Sequence, residues 1–280
     1  MHRSTRSLIV VPMAALALAA CGQQESAAPA ANAGPPPTPT LEQLREAATQ
    51  ATATLWEPSV RFGDVDGAAG SEAVAVLSSP AEGGGESVQV AVYGVRDGAL
   101  ATLGSAAVGA GVQLQGLWLE QGKIRMDVIE PGPEDAAGAP TQVARKTYAM
   151  EGGVLKQLTS EVRGVLGLSM LAANEWLLVE IDGAPLPAGS EAPLVLFEGE
   201  TVRGFAGCNR FTAPVKETKP GEIDVGPGAA TKMACPQPEM DLEQKFLTQL
   251  DAVNRYGYRA GQLALDWQAG ETSGTLLFRK

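Results

Sequence analysis

From residue 41 onwards the sequence consists of short apolar runs separated by turns that contain glycine. Residues 193–207, "PLVLFEGETVRGFAG", show the pattern: two runs flank Glu198-Gly199-Glu200, which predicts a β-hairpin. The turn signals Arg96-Asp97-Gly98 and Gln121-Gly122 separate similar runs nearer the N-terminus. Because glycine, valine and leucine are plentiful and aromatic residues are few, we expect an α+β protein that is mostly antiparallel β.

Two segments depart from this pattern and predict helices. The first, "TLEQLREAATQATATL", begins at Thr40, a plausible N-cap with Gln43 at the third helical position. The second runs from Asp241 to Val253 and places its apolar residues on one face at helical spacing. Asp241 is the predicted cap of this helix, with Gln244 three residues further on.

The N-terminus has the features of an export signal. Arg3 and Arg6 precede an apolar run, Leu8–Ala20, that is too short for a stable membrane-spanning helix. The sequence Leu18-Ala19-Ala20-Cys21 resembles the lipobox of bacterial lipoproteins, a family in which the cysteine carries acyl chains such as palmitate and starts the mature chain. The resemblance implies a signal peptide at residues 1–20 and lipidation of Cys21. The alternative is an ordinary secretory signal in which Cys21 is incidental.

The segment after Cys21 predicts a tether, and the charge of the chain restricts its partners. Residues 21–40 are rich in Ala and Pro and cannot bury enough apolar surface to fold. Removing residues 1–20 leaves 19 basic against 32 acidic side chains, which argues against nucleic acid as a partner. We therefore expect attachment to the membrane through an acyl anchor at Cys21. The residue after Cys21 is Gly22, whereas an Asp at this position would resemble the signal that retains lipoproteins in the inner membrane. The glycine therefore favours the outer membrane, with the protein facing the periplasm.

The cysteines other than Cys21 are Cys208 and Cys235. An even pair in an oxidising compartment predicts a disulfide. A zinc site would need four N, S or O ligands, but the only histidine is His2 and the chain has no CxxC motif. Free reactive thiols remain the alternative, although no histidine of the folded part could activate them.

The region around these cysteines resembles the META domain, the family of the heat-inducible HslJ-like proteins. Four boxes carry the resemblance in order: "EWLLVEIDG", "LVLFEGETVRGFAGCNRF", "GAATKMACPQPEM" with Glu243 after it, and "QLALDW" with "TLLF". The resemblance implies a curled antiparallel sheet or cracked barrel around one helix at residues 170–280. Residues 41–165 then form a second small, β-rich domain of unknown role.

Two other groups of residues are candidate sites. Arg210 could contact a carboxylate or phosphate, although pairing with one of the many acids is the simpler interpretation. Asp64, Asp66 and Glu72 are the residues that a calcium ion would use, but Ala68 and Ala69 stand where a third acidic ligand is expected. The spacing therefore favours a turn held by Asp side chains, and we predict neither a metal site nor a cofactor.

Three functions remain open. The first is a non-enzymatic, lipid-anchored envelope lipoprotein that acts in envelope maintenance or stress tolerance, with an unknown envelope protein or ligand as partner. The second is a pilot-like chaperone that binds an apolar client segment or a lipid tail, which an apolar groove would favour. The third is an enzyme acting on envelope material, which the lack of a Ser-His-Asp set or a phosphate-binding loop disfavours.

Overall fold

The computed structural model describes residues 37–81, 85–172 and 174–280. The predicted signal peptide, Cys21 and most of the predicted tether therefore lie outside the described residues. In the described ranges the strands pair antiparallel throughout, and the α-helices are Leu41–Gln50 (α1) and Glu239–Leu250 (α2). Short 3-10 helices occur at Glu57–Ser59 and Leu168–Leu171. The predicted class, mostly antiparallel β within α+β, is confirmed. No helix among these residues is long and apolar enough to cross a membrane.

The N-terminal part contains two antiparallel sheets. The first has the order β1-β3-β4-β5, with β2 also paired to β3, and its strands are β1 (Thr54–Leu55), β2 (Arg61–Gly63), β3 (Glu72–Pro80), β4 (Glu86–Arg96) and β5 (Ala99–Ala110). The second is a meander of β6 (Gln113–Glu120), β7 (Lys123–Glu130), β8 (Gln142–Glu151) and β9 (Val154–Val165). The turns at Asp97-Gly98 and Gln121-Gly122 connect hairpins, as the sequence predicts.

The side chains of β3 alternate between two cores. Val74 and Val76 face the second sheet and pack with residues such as Met126 and Tyr148. Ala73, Ala75 and Leu77 point the other way and pack against Leu44 and Ala48 of α1. The layers are therefore helix, sheet and sheet, and β3 is buried on both faces. The predicted capping box of α1 is present, because Thr40 Oγ1 accepts from Gln43 N and Thr40 N donates to Gln43 Oε1.

The C-terminal part is a closed antiparallel barrel. Eight strands follow one another around it: β10 (Trp176–Ile181), β12 (Leu194–Glu198), β13 (Thr201–Phe205), β14 (Arg210–Lys219), β15 (Glu222–Val225), β17 (Val253–Arg259), β18 (Gln262–Ala269) and β19 (Thr272–Arg279). Pairing of β10 with β19 closes the ring. The short strands β11 (Ala184–Pro185) and β16 (Ala229–Ala230) pair with β10 and β14. The resemblance implied this curled sheet with one helix.

Helix α2 packs on the barrel core through Phe246, whose ring lies edge-on to those of Phe211 and Phe278. Its predicted start and cap are wrong: the helix begins at Glu239, and Pro238 is at the N-cap without a side-chain hydrogen bond. Asp241 instead lies in the first turn, where a carboxylate is favourable near the positive end of the helix dipole. The helix also ends at Leu250, because residues 251–252 turn into β17.

The barrel touches the second sheet through polar contacts on β6 and β17. Gln113 Oε1 accepts from Tyr258 N at 2.8 Å, and Gln115 Nε2 donates to the Tyr258 hydroxyl at 3.0 Å. The backbone of Gly257 comes so close to Gln113 that a Cβ there would lie 2.5 Å from Oε1. Ile129 and Val143 of the sheet also belong to the apolar cluster of the barrel. The second sheet and the barrel are thus joined both by hydrogen bonds between particular residues of β6 and β17 and by apolar packing.

Candidate functional site

The loop between β13 and β14 carries the Gly-Cys-Asn-Arg-Phe sequence. At Gly204, just before it, a Cβ would lie 1.8 Å from the carbonyl oxygen of Leu194, so only glycine fits between β12 and β13. Gly207 has a φ of 108°, a conformation that favours glycine. Ala206 N donates to Asn209 O at 2.8 Å and closes the loop. The two glycines thus bring Cys208 and Asn209 into the interior.

Asn209 joins the loop to the segment that precedes α2. Its Oδ1 accepts from Thr231 Oγ1 and from Met233 N, both at 2.7 Å. Its Nδ2 donates to Met233 O at 3.2 Å and to Glu243 Oε1 at 3.0 Å. The backbone N–H of Asn209 also donates to Glu243 Oε2, at 2.5 Å. We call this group, Asn209, Thr231, Met233 and Glu243, the Asn209 node.

The polar side chains of the node, Asn209 and Glu243, are buried and hydrogen-bonded to each other. Asn209 is 2% exposed and Glu243 is 8% exposed, so neither side chain is free to meet a substrate. Buried polar groups are expensive unless they are hydrogen-bonded, and here each of their hydrogen bonds is made within the fold. The arrangement fixes the β13–β14 loop to the segment that precedes α2.

A disulfide joins Cys208 to Cys235 next to the node, with the two Cα atoms 6.1 Å apart. The predicted pairing is therefore present in the structure. Cys208 is buried, and it lies beside Asn209, whose amide nitrogen is 3.3 Å from its sulfur. The bond holds the β13–β14 loop to the segment leading into α2, in parallel with the hydrogen bonds of the node.

An open groove of about 760 Å³ lies beside the disulfide. Its lining is mainly apolar and includes Leu177, Ala192, Leu194, Phe205 and Met233, with Glu191 and Arg210 also on it. Met233 exposes 60% of its surface although its backbone belongs to the node. Arg210 is exposed, and its side chain forms no ion pair with any carboxylate of the described residues. The simpler interpretation, pairing of Arg210 with an acid, is therefore not seen among the described residues, and this possible anion contact lies at an apolar groove.

The turn after β10 contains a second polar node, which sequence reasoning did not single out. Asp182 Oδ1 accepts from Trp267 Nε1 at 3.0 Å, and Oδ2 accepts from Gln249 at 2.8 Å and lies 3.2 Å from Lys245 Nζ. Burial would raise the pKa of Asp182, but hydrogen bonds from Gln249, Lys245 and Trp267 outweigh it and lower the pKa. This carboxylate ties the turn to α2 and β18. The Ile-Asp-Gly sequence was the available signal.

The three calcium candidates come together in the loop between β2 and β3. Asp64, Asp66 and Glu72 each place one carboxylate oxygen within 4.8 Å of the others. Asp64 and Asp66 also accept from the backbone of Gly67 and Ala68, both at 2.8 Å, as expected for Asp side chains that hold a turn. The structure thus contains the predicted turn. It also brings the three carboxylates together, which the sequence spacing did not predict.

A protein family matches the C-terminal part of the chain. Residues 169–278 match the model of the META domain family. The search of curated proteins found no match. An NMR structure of a protein is 22% identical over 41% of this chain and 94% of that chain, with a TM-score of 0.34. An NMR structure of a protein from Burkholderia xenovorans is 23% identical over 40% of this chain and 83% of that chain, with a TM-score of 0.32.

Proposed function

We propose that this chain, whose residues 169–278 form a META domain, is a lipid-anchored, non-enzymatic protein of the cell envelope. It acts in envelope maintenance or stress tolerance, held through Cys21 and facing the periplasm from the outer membrane. The Asn209 node carries the proposal, because Asn209 and Glu243, the buried polar side chains of the characteristic boxes, are hydrogen-bonded to each other within the domain. The disulfide supports a compartment outside the cytoplasm, where such bonds persist.

The anchor is tested by labelling cells with a fatty-acid analogue and fractionating their membranes. We expect the wild-type chain to be labelled and recovered with the outer membrane. A Cys21→Ser variant should lose the label and the membrane association, since the tether itself has no other membrane-binding feature. Recovery of the wild type as an unlabelled soluble protein would contradict the anchor and leave the fold unaffected.

The envelope role is tested with a deletion strain exposed to heat, detergent and chelator. Complementation by the wild type should restore survival, and crosslinking in the envelope should then identify the partner. Complementation by Arg210→Ala should be as good as by the wild type if the protein acts without an anionic ligand. A deletion strain that grows like its parent under every stress would count against the role.

A second candidate function rests on the groove beside the disulfide. An apolar lining with one unpaired guanidinium suits an acyl chain that ends in a carboxylate or phosphate, as in a chaperone that carries a lipid tail. We expect a fluorescent fatty acid to bind the wild type, and Met233→Asp to weaken binding at least about tenfold because a charge would enter the apolar lining. Arg210→Ala should then weaken both binding and complementation, which separates this candidate from the first.

A further inference from the structure

The carboxylate of Glu72, at the start of β3, is buried and incompletely paired. Glu72 is 0% exposed. Its Oε2 accepts from the backbone N–H of Val65 at 3.1 Å, whereas its Oε1 has no hydrogen-bond partner. A buried charge is normally paired, hydrogen-bonded or bound to a metal, because removing it from water is expensive. The unpaired oxygen belongs to the group in which Asp64 and Asp66 also converge.

Among the described residues, Arg96 forms the ion pairs of this group, and it lies closest to Asp66. Arg96 Nη2 is 2.8 Å from Asp66 Oδ2 and 3.8 Å from Glu72 Oε1, which is too long for a hydrogen bond. One guanidinium among three carboxylates leaves two negative charges uncompensated. A divalent cation would neutralise these two charges and would bind the unpaired oxygen of Glu72.

We propose that Asp64, Asp66 and Glu72 bind one Ca²⁺ ion. Calcium takes carboxylate oxygens at about 2.3–2.6 Å, so two ligands of one ion lie at most about 5 Å apart, and oxygens within 4.8 Å of one another fit inside that shell. Mg²⁺ requires near-ideal octahedral geometry and gives up its water reluctantly, so a site built from protein carboxylates favours Ca²⁺. Backbone carbonyls of the loop and water would supply the remaining ligands. The site is independent of the proposed envelope function.

The affinity should be modest, because Arg96 competes with the ion for Asp66. Extracellular calcium modules have dissociation constants on the order of 0.1–1 mM, and we expect this site to fall in that class. Binding to the folded state should then raise the melting temperature by roughly 4–8 °C in about 10 mM calcium.

The test is calorimetric titration and thermal melting of the full chain after treatment with a chelator, with Ca²⁺ or Mg²⁺ chloride as the probe. The wild type should bind Ca²⁺ and melt higher with it, and it should respond several-fold less to Mg²⁺. Glu72→Gln, which keeps the shape and removes the charge, should lose the calcium response. Asp97→Asn changes an exposed carboxylate on the turn that follows Arg96 and should respond like the wild type.

Arg96→Gln distinguishes a metal site from an internally neutralised ion pair. If calcium binds, removing the competing guanidinium should tighten binding several-fold, because the positive charge 2.8 Å from Asp66 Oδ2 and 3.8 Å from Glu72 Oε1 is lost. If Arg96 is the sole counter-ion, this variant should melt lower and stay insensitive to calcium, which would overturn the proposal. A folded wild type with neither heat of binding nor a shift in about 10 mM calcium would also overturn it. An equal response to Mg²⁺ would overturn the assignment to calcium.

Discussion

Replacing Asn209 with Asp tests the Asn209 node with almost no change in shape. The variant keeps the oxygen that accepts from Thr231 and Met233, and it replaces the amide nitrogen with a second oxygen. That oxygen would face Glu243 Oε1 from about 3 Å, where a hydrogen bond of 3.0 Å now exists. A donor–acceptor contact between buried groups thus becomes a contact between two carboxylates.

The loss of stability in Asn209→Asp follows from the repulsion between the two carboxylates, and the cost of protonating one of them limits it. Two unit charges about 3 Å apart repel by roughly 5 kcal/mol at an effective dielectric constant of about 20. The pair can escape by taking up one proton, which costs about 4 kcal/mol at pH 7 for a carboxyl with an ordinary pKa near 4. Adding the lost hydrogen bonds, and allowing for relaxation, we expect Asn209→Asp to lower the free energy of unfolding by about 3–5 kcal/mol.

The pH dependence has a definite sign. The folded variant would hold one proton more tightly than the unfolded chain, so the pKa of the pair is raised by folding. The destabilisation should therefore be small near pH 4, grow as the pH rises above the unfolded pKa, and level off above the folded pKa. Urea unfolding followed by tryptophan fluorescence between about pH 4 and pH 8 measures it.

A second substitution should rescue the first. In Asn209→Asp with Glu243→Gln, the amide of residue 243 can donate to the new carboxylate, so the pair should recover at least about 2 kcal/mol at pH 7. Asn254→Asp, at an exposed position on β17, is the control and should change stability by less than about 0.5 kcal/mol. A pH-independent loss with no rescue would refute the role given to the node.

Three further outcomes follow from other contacts. A chain with both Cys208→Ser and Cys235→Ser should unfold about 3–4 kcal/mol more easily than the oxidised wild type, the value for a 27-residue separation, as measured by denaturant titration. Gly204→Ala should lose at least about 3 kcal/mol in the same assay, because its Cβ would meet the carbonyl of Leu194, whereas Gly116→Ala, with nothing nearby, should not. The stability that Asp182 provides should be present above its unfolded pKa of about 3.9 and be lost as the pH falls through its lowered folded pKa, so Asp182→Asn should flatten acid unfolding curves.

Controls make each of these outcomes refutable. Reduction of the wild type should reproduce the effect of the double serine variant, and equal stability of oxidised and reduced protein would contradict a stabilising bond. Gly204→Ala melting like the wild type would mean that β12 and β13 separate at little cost. A difference between Asp182→Asn and the wild type that persists unchanged at about pH 2 would show that its ionisation is not the cause.

The sequence predicts the strands well where one periodicity dominates. The hairpin around Glu198-Gly199-Glu200 and the turn at Asp97-Gly98 are set by local signals, because glycine is needed where φ is positive. The capping box at Thr40 is local as well. The start of α2 was predicted incorrectly because Asp241 is a good N-cap in isolation. In the structure the helix begins two residues earlier, with Pro238 at the N-cap.

The candidate sites depend on distances along the chain that no local pattern encodes. Glu243 reaches Asn209 across 34 residues, and only the resemblance to a family placed the two boxes in one domain. Glu72 joins Asp64 because β3 continues from the loop with its first side chain turned inward. The apolar groove depends on strands meeting in three dimensions, and alternation alone does not specify it.

Closure of the barrel by β10 and β19 also sets an order of events during folding. In the N-terminal sheets most pairs join strands adjacent in sequence, so these hairpins can form as soon as each turn is available. The ring cannot close until Thr272–Arg279 meets Trp176–Ile181, nearly a full domain length earlier in the chain. Loop-closure entropy makes such a contact slow. The N-terminal sheets should therefore be protected from hydrogen exchange first, and the barrel should become protected in one late step.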